Sequence, residues 1–211
     1  MSSAKDLLQY DIDLDDAITN CSDDVFYNDS ILHALIIMKH LFRKAQNLNE
    51  GQRTMNIFCG NFSLFRDKTR EKIEKEKKEY SLEGLCEKER KKWDNWDLFG
   101  ELQKALSDFL ETDKAKLNLI MMRDIDTLCE NSVWNTLKTA IERKKMSIFL
   151  LDHEKDLGLG EFHFAVISDA YRIETSDEHK KATCCFCDKD GSNILNSNFA
   201  ELQKNSLEVF L

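Results

Sequence analysis

Four side chains suited to acid–base or anion chemistry fall close together in residues 161–174, Glu-Phe-His-Phe-Ala-Val-Ile-Ser-Asp-Ala-Tyr-Arg-Ile-Glu. They are His163, Asp169, Arg172 and Glu174. An imidazole can carry a proton or act as a nucleophile, a carboxylate can orient it, and a guanidinium can hold an anionic oxygen. Their neighbours Phe162, Phe164, Val166, Ile167, Tyr171 and Ile173 are apolar. Ser168-Asp169 is a turn dipeptide, so the stretch reads as one long strand or as two strands around a tight turn. On a strand, residues i and i+2 share a face. His163 therefore faces away from Phe162 and Phe164, and Arg172 and Glu174 share the face opposite Tyr171 and Ile173. Two readings stay open at this point. One is a hairpin with a solvated outer face and an Arg–Glu surface pair worth little. The other is a site.

The elements that must hold this ribbon are legible along the chain. Residues 1–28 are acidic, and Leu7, Leu8, Ile12, Leu14 and Ile18 give one weak helix. The Asp11-Ile-Asp-Leu-Asp-Asp run lacks the glycine and closing glutamate of a calcium-binding loop. Ser30 caps a helix over 31–48 with a broad apolar stripe, in which His33 and His40 read as surface or packing residues. A short apolar strand, 55–58, ends in Cys59-Gly60. Residues 66–92 are dense in Lys, Arg and Glu of nearly balanced sign, the pattern of a solvated helix or helical hairpin broken at Gly84. Trp93, Trp96 and Phe99 anchor it. An amphipathic helix over 97–110, a buried strand over 116–122, a helix over 133–144 and a buried strand over 146–151 follow. A polar loop, 152–160, leads into the ribbon. A strand over 182–187 and a closing helix over 193–210 end the chain. Alternating strands and helices predict an α/β fold, with a mixed, largely parallel sheet flanked by helices. Residues 1–50 read as an N-terminal helical segment packed on the core. Residues 51–211 read as the α/β domain, with a charged helical insertion at about 66–96.

Composition bounds the function. The chain has 211 residues, 42% of them hydrophobic and 33% charged, with a net charge of −9. That suits an acidic soluble protein and argues against nucleic acid or an anionic membrane surface as partner. The longest apolar run, 31–42, is too short and too polar to span a bilayer. Seven cysteines without paired spacing and no secretory signal predict unpaired thiols in the cytoplasm. Cys184, Cys185 and Cys187 lack the Cys-x-x-Cys spacing of a metal site and read as small buried thiols. No cofactor and no metal are expected.

The last third of the chain resembles the core of a phospholipase D-like domain. In that family a buried strand leads into a His-x-Lys-x4-Asp segment, followed by a short strand carrying Gly-Ser-x-Asn and a closing helix. Here Ile148-Phe-Leu-Leu-Asp152 precedes the ribbon from His163 to Ala170. Ala182-Thr-Cys-Cys-Phe-Cys-Asp188 and a helix containing Phe199 follow it. The match covers residues 55–211 in element order and 161–188 in residue detail.

The resemblance implies that His163 is the family's nucleophilic histidine. It also shows departures. Ala165 stands at the lysine position, and a methyl group cannot hold a phosphoryl oxygen. Ala170 stands at the aspartate position, with Asp169 one residue early, and Cys-Cys-Phe-Cys lies where Gly-Ser-x-Asn is expected. The implied protein is a catalytically inactive family member acting as a binding or regulatory subunit, of the kind expected of a bacterial accessory protein. The alternative is a phosphodiesterase or nuclease with a rebuilt site, in which Arg172 replaces the missing cation and Glu174 orients it or His163. Active members use two such segments and this chain carries one, so the resemblance implies a homodimer, with a protein partner as a further possibility.

Overall fold

The computed structural model describes residues 2–60, 62–122, 126–151, 162–175 and 181–209. The polar loop expected at 152–160, and Glu161, lie outside them. In chain order the elements are α1 (Ala4–Asn20), β1 (Val25–Asn28), α2 (Ile31–Asn47), β2 (Thr54–Cys59), α3 (Asp67–Lys77), α4 (Glu87–Asp94), α5 (Leu98–Glu111), β3 (Lys116–Met121), α6 (Asp126–Cys129), α7 (Trp134–Glu142), β4 (Met146–Leu151), β5 (Phe164–Ile167), β6 (Ala170–Glu174), β7 (Ala182–Cys185), α8 (Lys189–Lys204) and β8 (Ser206–Val209).

The strands form one open sheet in the order β1-β7-β6-β5-β2-β3-β4-β8. The α/β class stands, but the expectation of a largely parallel sheet does not. Only β2–β3 and β3–β4 are parallel, and every other neighbouring pair is antiparallel. The reason lies in the connections. Parallel neighbours need a crossover of a dozen or more residues, which α3–α5 and α6–α7 supply. β5 turns into β6 through Ser168-Asp169 alone, with Ser168 at φ 52°. Both edge strands also escaped sequence reading. β1 is a short run behind an acidic helix, and β8 ends the stretch read as the closing helix, which stops at Lys204.

Period-2 alternation divides the strand residues between two cores. Met55 and Ile57 of β2, Ala165 and Ile167 of β5, and Cys184 of β7 face the larger one, which α1, α2, α5 and α7 cover. Phe58, Phe164 and Val166 face the smaller one beneath Leu195, Phe199 and Leu202 of α8. The Ser30 hydroxyl caps α2 by accepting from the His33 N–H at 3.2 Å. Its apolar stripe packs on α5, where the Phe42 and Phe109 rings lie 5.8 Å apart. In the charged segment, α3 and α4 bury only Thr69, Ile73 and Trp93. Gly84, between them, takes φ +79°. No described helix is long and apolar enough to cross a membrane.

The expectation of unpaired thiols is corrected at one pair. Cys21, in the left-handed position that ends α1, is disulfide-bonded to Cys187 at the β7–α8 junction, 166 positions away. A bond between such distant positions leaves no local spacing to read. Of the two readings of His40, surface or packing, the structure takes the second. The imidazole is fully buried, with Nε2 2.9 Å from Asp11 Oδ1 and Nδ1 3.1 Å from Asp15 Oδ1.

Candidate active site at the carboxyl ends of the parallel strands

The ladder between β5 and β6 pairs Phe164 with Ile173 and Ala165 with Arg172. It is extended by one backbone hydrogen bond, from the Glu174 N–H to the His163 carbonyl at 2.9 Å. His163 and Glu174 are therefore cross-strand neighbours, a fact that alternation along a single strand cannot show. Their side chains meet: Nδ1 of His163 lies 3.0 Å from Oε2 of Glu174. The other oxygen, Oε1, is 3.5 Å from the Arg172 guanidinium. The shared face of Arg172 and Glu174, expected from the sequence, is present. It is not the solvated outer face of a hairpin, because both residues are buried against the larger core.

Burial decides what each group can do. His163 keeps about a fifth of its side chain exposed, whereas Arg172 and Glu174 keep about a tenth. Burial pulls the Arg172 guanidinium below its usual range, and the Glu174 carboxylate beside it opposes that. Arg172 thus stays buried, tied to Glu174. The Nε2 edge of His163 points to the end of β2. A methyl group placed on Gly60 would stand 3.4 Å from Nε2 and 3.3 Å from Cε1. Phe58 meets the imidazole edge to face at 5.9 Å.

The sheet is organised around this end. β2, β3 and β4 all finish here, β5 begins here, and β6 finishes here. It is also where strand order reverses, with β3 and β4 laid to one side of β2 and β5 to the other. Open α/β sheets place ligands outside the carboxyl ends of their strands at such a reversal.

Asp169 is not part of this group. It occupies the β5–β6 turn at the opposite end of the ribbon, on the order of 15 Å from His163 by strand length. There its Oδ1 pairs with the Lys44 ammonium at 2.7 Å, and its Oδ2 lies 3.5 Å from Sγ of Cys187. Lys44 also donates to the carbonyl of Phe186. No local pattern marks Lys44, which is brought to the turn by the full length of α2. The structure therefore assembles three of the four candidate residues, His163, Arg172 and Glu174, and sends Asp169 elsewhere.

A second charged cluster joins α1, α2 and α5. Lys39 is 1% exposed, and its ammonium bonds Asp11 at 2.5 Å and Glu101 at 3.1 Å. It also lies over the Trp96 ring at 5.8 Å. Asp11 holds His40 as well, so a carboxylate of α1 neutralises a buried cation of α2.

Among the described residues, one group of potential metal ligands converges: Cys21, Cys187 and Asp169. Two of these sulfurs are joined to each other and Lys44 neutralises the carboxylate, so the donor set suits a disulfide better than a metal.

What emerges is a histidine oriented by a buried carboxylate, with its second nitrogen at a sheet mouth; no known protein-family profile matches the chain, and no curated protein sequence does.

Proposed function

We propose that this chain is a phospholipase D-like protein that does not cleave phosphodiesters and acts as a binding or regulatory subunit, assembled as a homodimer with its ribbons near the twofold axis. The observation that carries this reading is the place of Arg172. Phosphoryl transfer needs a cation aimed at the phosphate oxygens. Ala165 fills the position where the family has lysine, and the nearest replacement, Arg172, is buried and tied to Glu174. Support for the family comes from element order. Buried β4, the β5–β6 ribbon carrying His163, short β7 and closing α8 follow one another as the resemblance requires. The net charge of −9 disfavours nucleic acid as partner and leaves a protein as the expected one.

A second reading rests on the 3.0 Å contact between His163 and Glu174. A histidine held at Nδ1 by a carboxylate presents Nε2 to a substrate, which a rebuilt phosphodiesterase using His163, Arg172 and Glu174 would exploit.

One assay separates the two. The full chain is incubated with bis(p-nitrophenyl) phosphate and with single- and double-stranded DNA, with and without EDTA, and sedimentation is run alongside. Expected are a dimer and no cleavage above that of His163→Ala. Cleavage that disappears in His163→Ala overturns the inactive reading, and a monomer removes the twofold assembly.

A further inference from the structure

The sheet ends on one side at β1, and hydrogen-bond parity shows which backbone groups that edge leaves open. In an antiparallel ladder, residues turn their N–H and C=O groups alternately to one neighbour and to the other. The Thr175 N–H bonds the Lys181 carbonyl at 2.9 Å, in the register of β6 with β7. Counting on from Lys181, Ala182 and Cys184 turn toward β1 and meet Asn28 and Phe26. Val25 and Tyr27 therefore turn their backbone groups outward, away from the sheet. One contact outside the ladder agrees: the Tyr10 hydroxyl of α1 donates to the Tyr27 carbonyl at 3.1 Å. Among the described residues, no backbone partner meets the Val25 N–H, the Val25 carbonyl or the Tyr27 N–H.

The side chains and charges around this edge define what fits along it. Val25 and Tyr27 stand on the α8 face of the sheet, but the core beneath α8 reaches no further this way than Tyr171 and Ile173 of β6. Val25 is 48% exposed and Tyr27 70%. Two apolar side chains one residue apart, beside open donors and acceptors, are each half of a cross-strand pair. The frame is acidic. Asp23 and Asp24 precede the strand and Asp29 follows it, all exposed. On α1, Asp6 and Asp13 stand one helical turn to either side of Tyr10, and both are exposed. Residues 1–29 carry eight Asp and one Lys. Lys181 before β7 and Lys189 at the start of α8 lie behind the edge strand, not on it. A second copy of this chain suits the edge poorly. Pairing two copies antiparallel through Val25 and Tyr27 sets Asp23 of one chain against Asp29 of the other, a like-charge contact.

We propose that β1 is a docking edge for an extended, basic segment of a partner protein, which adds a strand antiparallel to β1. The segment carries two apolar residues separated by one, with Lys or Arg at both ends. The apolar residues stand opposite Val25 and Tyr27 and exchange backbone hydrogen bonds with them. The Tyr27 carbonyl has a second lone pair for this, beside the one that Tyr10 uses. The basic ends meet Asp23 and Asp24 on one side and Asp29 on the other. The proposal rests on the binding-subunit reading only in expecting a protein partner. A chain that cleaves phosphodiesters and still takes such a segment ends that reading and leaves this one. An inactive chain whose edge stays empty does the reverse.

The test uses the full chain and a labelled peptide, Lys-Arg-Thr-Val-Thr-Val-Thr-Lys-Arg, with binding read by fluorescence anisotropy and backbone amide exchange by NMR. One control peptide has Glu in place of Lys and Arg, and a second is N-methylated at both Val residues. In the free chain the amides of Val25 and Tyr27 are expected to exchange fast and those of Phe26 and Asn28 slowly. The basic peptide binds, loses affinity as salt rises, and slows the Val25 and Tyr27 amides. Both controls bind about tenfold more weakly. So does the basic peptide with Val25→Pro, whose lost N–H faces outward and leaves the β1–β7 ladder intact. The N-methylated peptide tests the same hydrogen bonds on the unaltered protein. No binding of the basic peptide overturns the proposal, as does binding that leaves the Val25 and Tyr27 amides fast, or equal binding of either control. A free chain that sediments as a dimer with those two amides already slow gives the edge to a second copy and also overturns it.

Discussion

Asp11 is the residue on which the α1–α2 contact turns. One carboxylate serves two fully buried partners, Lys39 and His40. Burial alone would raise its carboxyl. The His40 hydrogen bond and the charge and hydrogen bond of Lys39 outweigh burial and hold it well below the usual carboxylate range. Removing one side of such a group leaves buried charge uncompensated. Asp11→Ala is expected to cost about 3 kcal/mol, read as a lower urea midpoint at neutral pH. The same shift fixes the sign of the pH dependence. Because the folded carboxyl is depressed, its contribution is complete above the unfolded value of about 4 and fades as pH falls below it. A plot of stability against pH should therefore fall on acidification from about pH 4, and fall less steeply in Asp11→Asn. A flat wild-type profile in that range would remove Asp11 from the account.

At the scale of elements, α8 is tied to the sheet by more than its apolar stripe. Asn118 of β3 donates to Asn56 of β2 at 2.9 Å, and Asn56 donates to Asn196 of α8 at 2.9 Å. Asn56→Ala would leave both neighbouring amides without this partner, at a cost of about 1–3 kcal/mol in denaturant unfolding. A change below about 0.5 kcal/mol would mean that water replaces the amide without loss.

Elements of this kind were largely legible. α2 and α5 announce themselves by a long apolar stripe, and β3 and β4 by continuous apolar runs. Strand direction was not, since it depends on which strands become neighbours, and the short edge strands β1 and β8 carry no pattern of their own. The candidate site divides the same way. The common face of Arg172 and Glu174 follows from alternation, a property of one strand. The meeting of Glu174 with His163 follows from register between strands. The sequence placed Asp169 nearer the family's motif than the fold does, because a turn carries it to the far end of the ribbon.

For the whole molecule, the Cys21–Cys187 bond is the longest covalent connection in the fold. It fixes the end of α1 to the β7–α8 junction, beside the Lys44–Asp169 pair. Closing so large a loop restricts the unfolded chain, which by chain entropy is worth about 5 kcal/mol. Reductant is expected to lower the thermal midpoint of the wild type and to leave Cys21→Ser unmoved. Equal effects on both proteins would show that the bond contributes nothing.

The same bond sets how the molecule bears load. Everything from β1 to β7 lies inside a covalent ring, and only α1 on one side and α8 with β8 on the other lie outside it. A force applied to the two termini is carried by sulfur as soon as those flanking pieces have straightened. The oxidised chain would then yield about 150 Å of length, against about 700 Å when reduced. The ribbon, and the His163–Glu174 pair on it, would feel no tension at all. Pulled from its ends, the oxidised protein is a short tether with a sheltered middle.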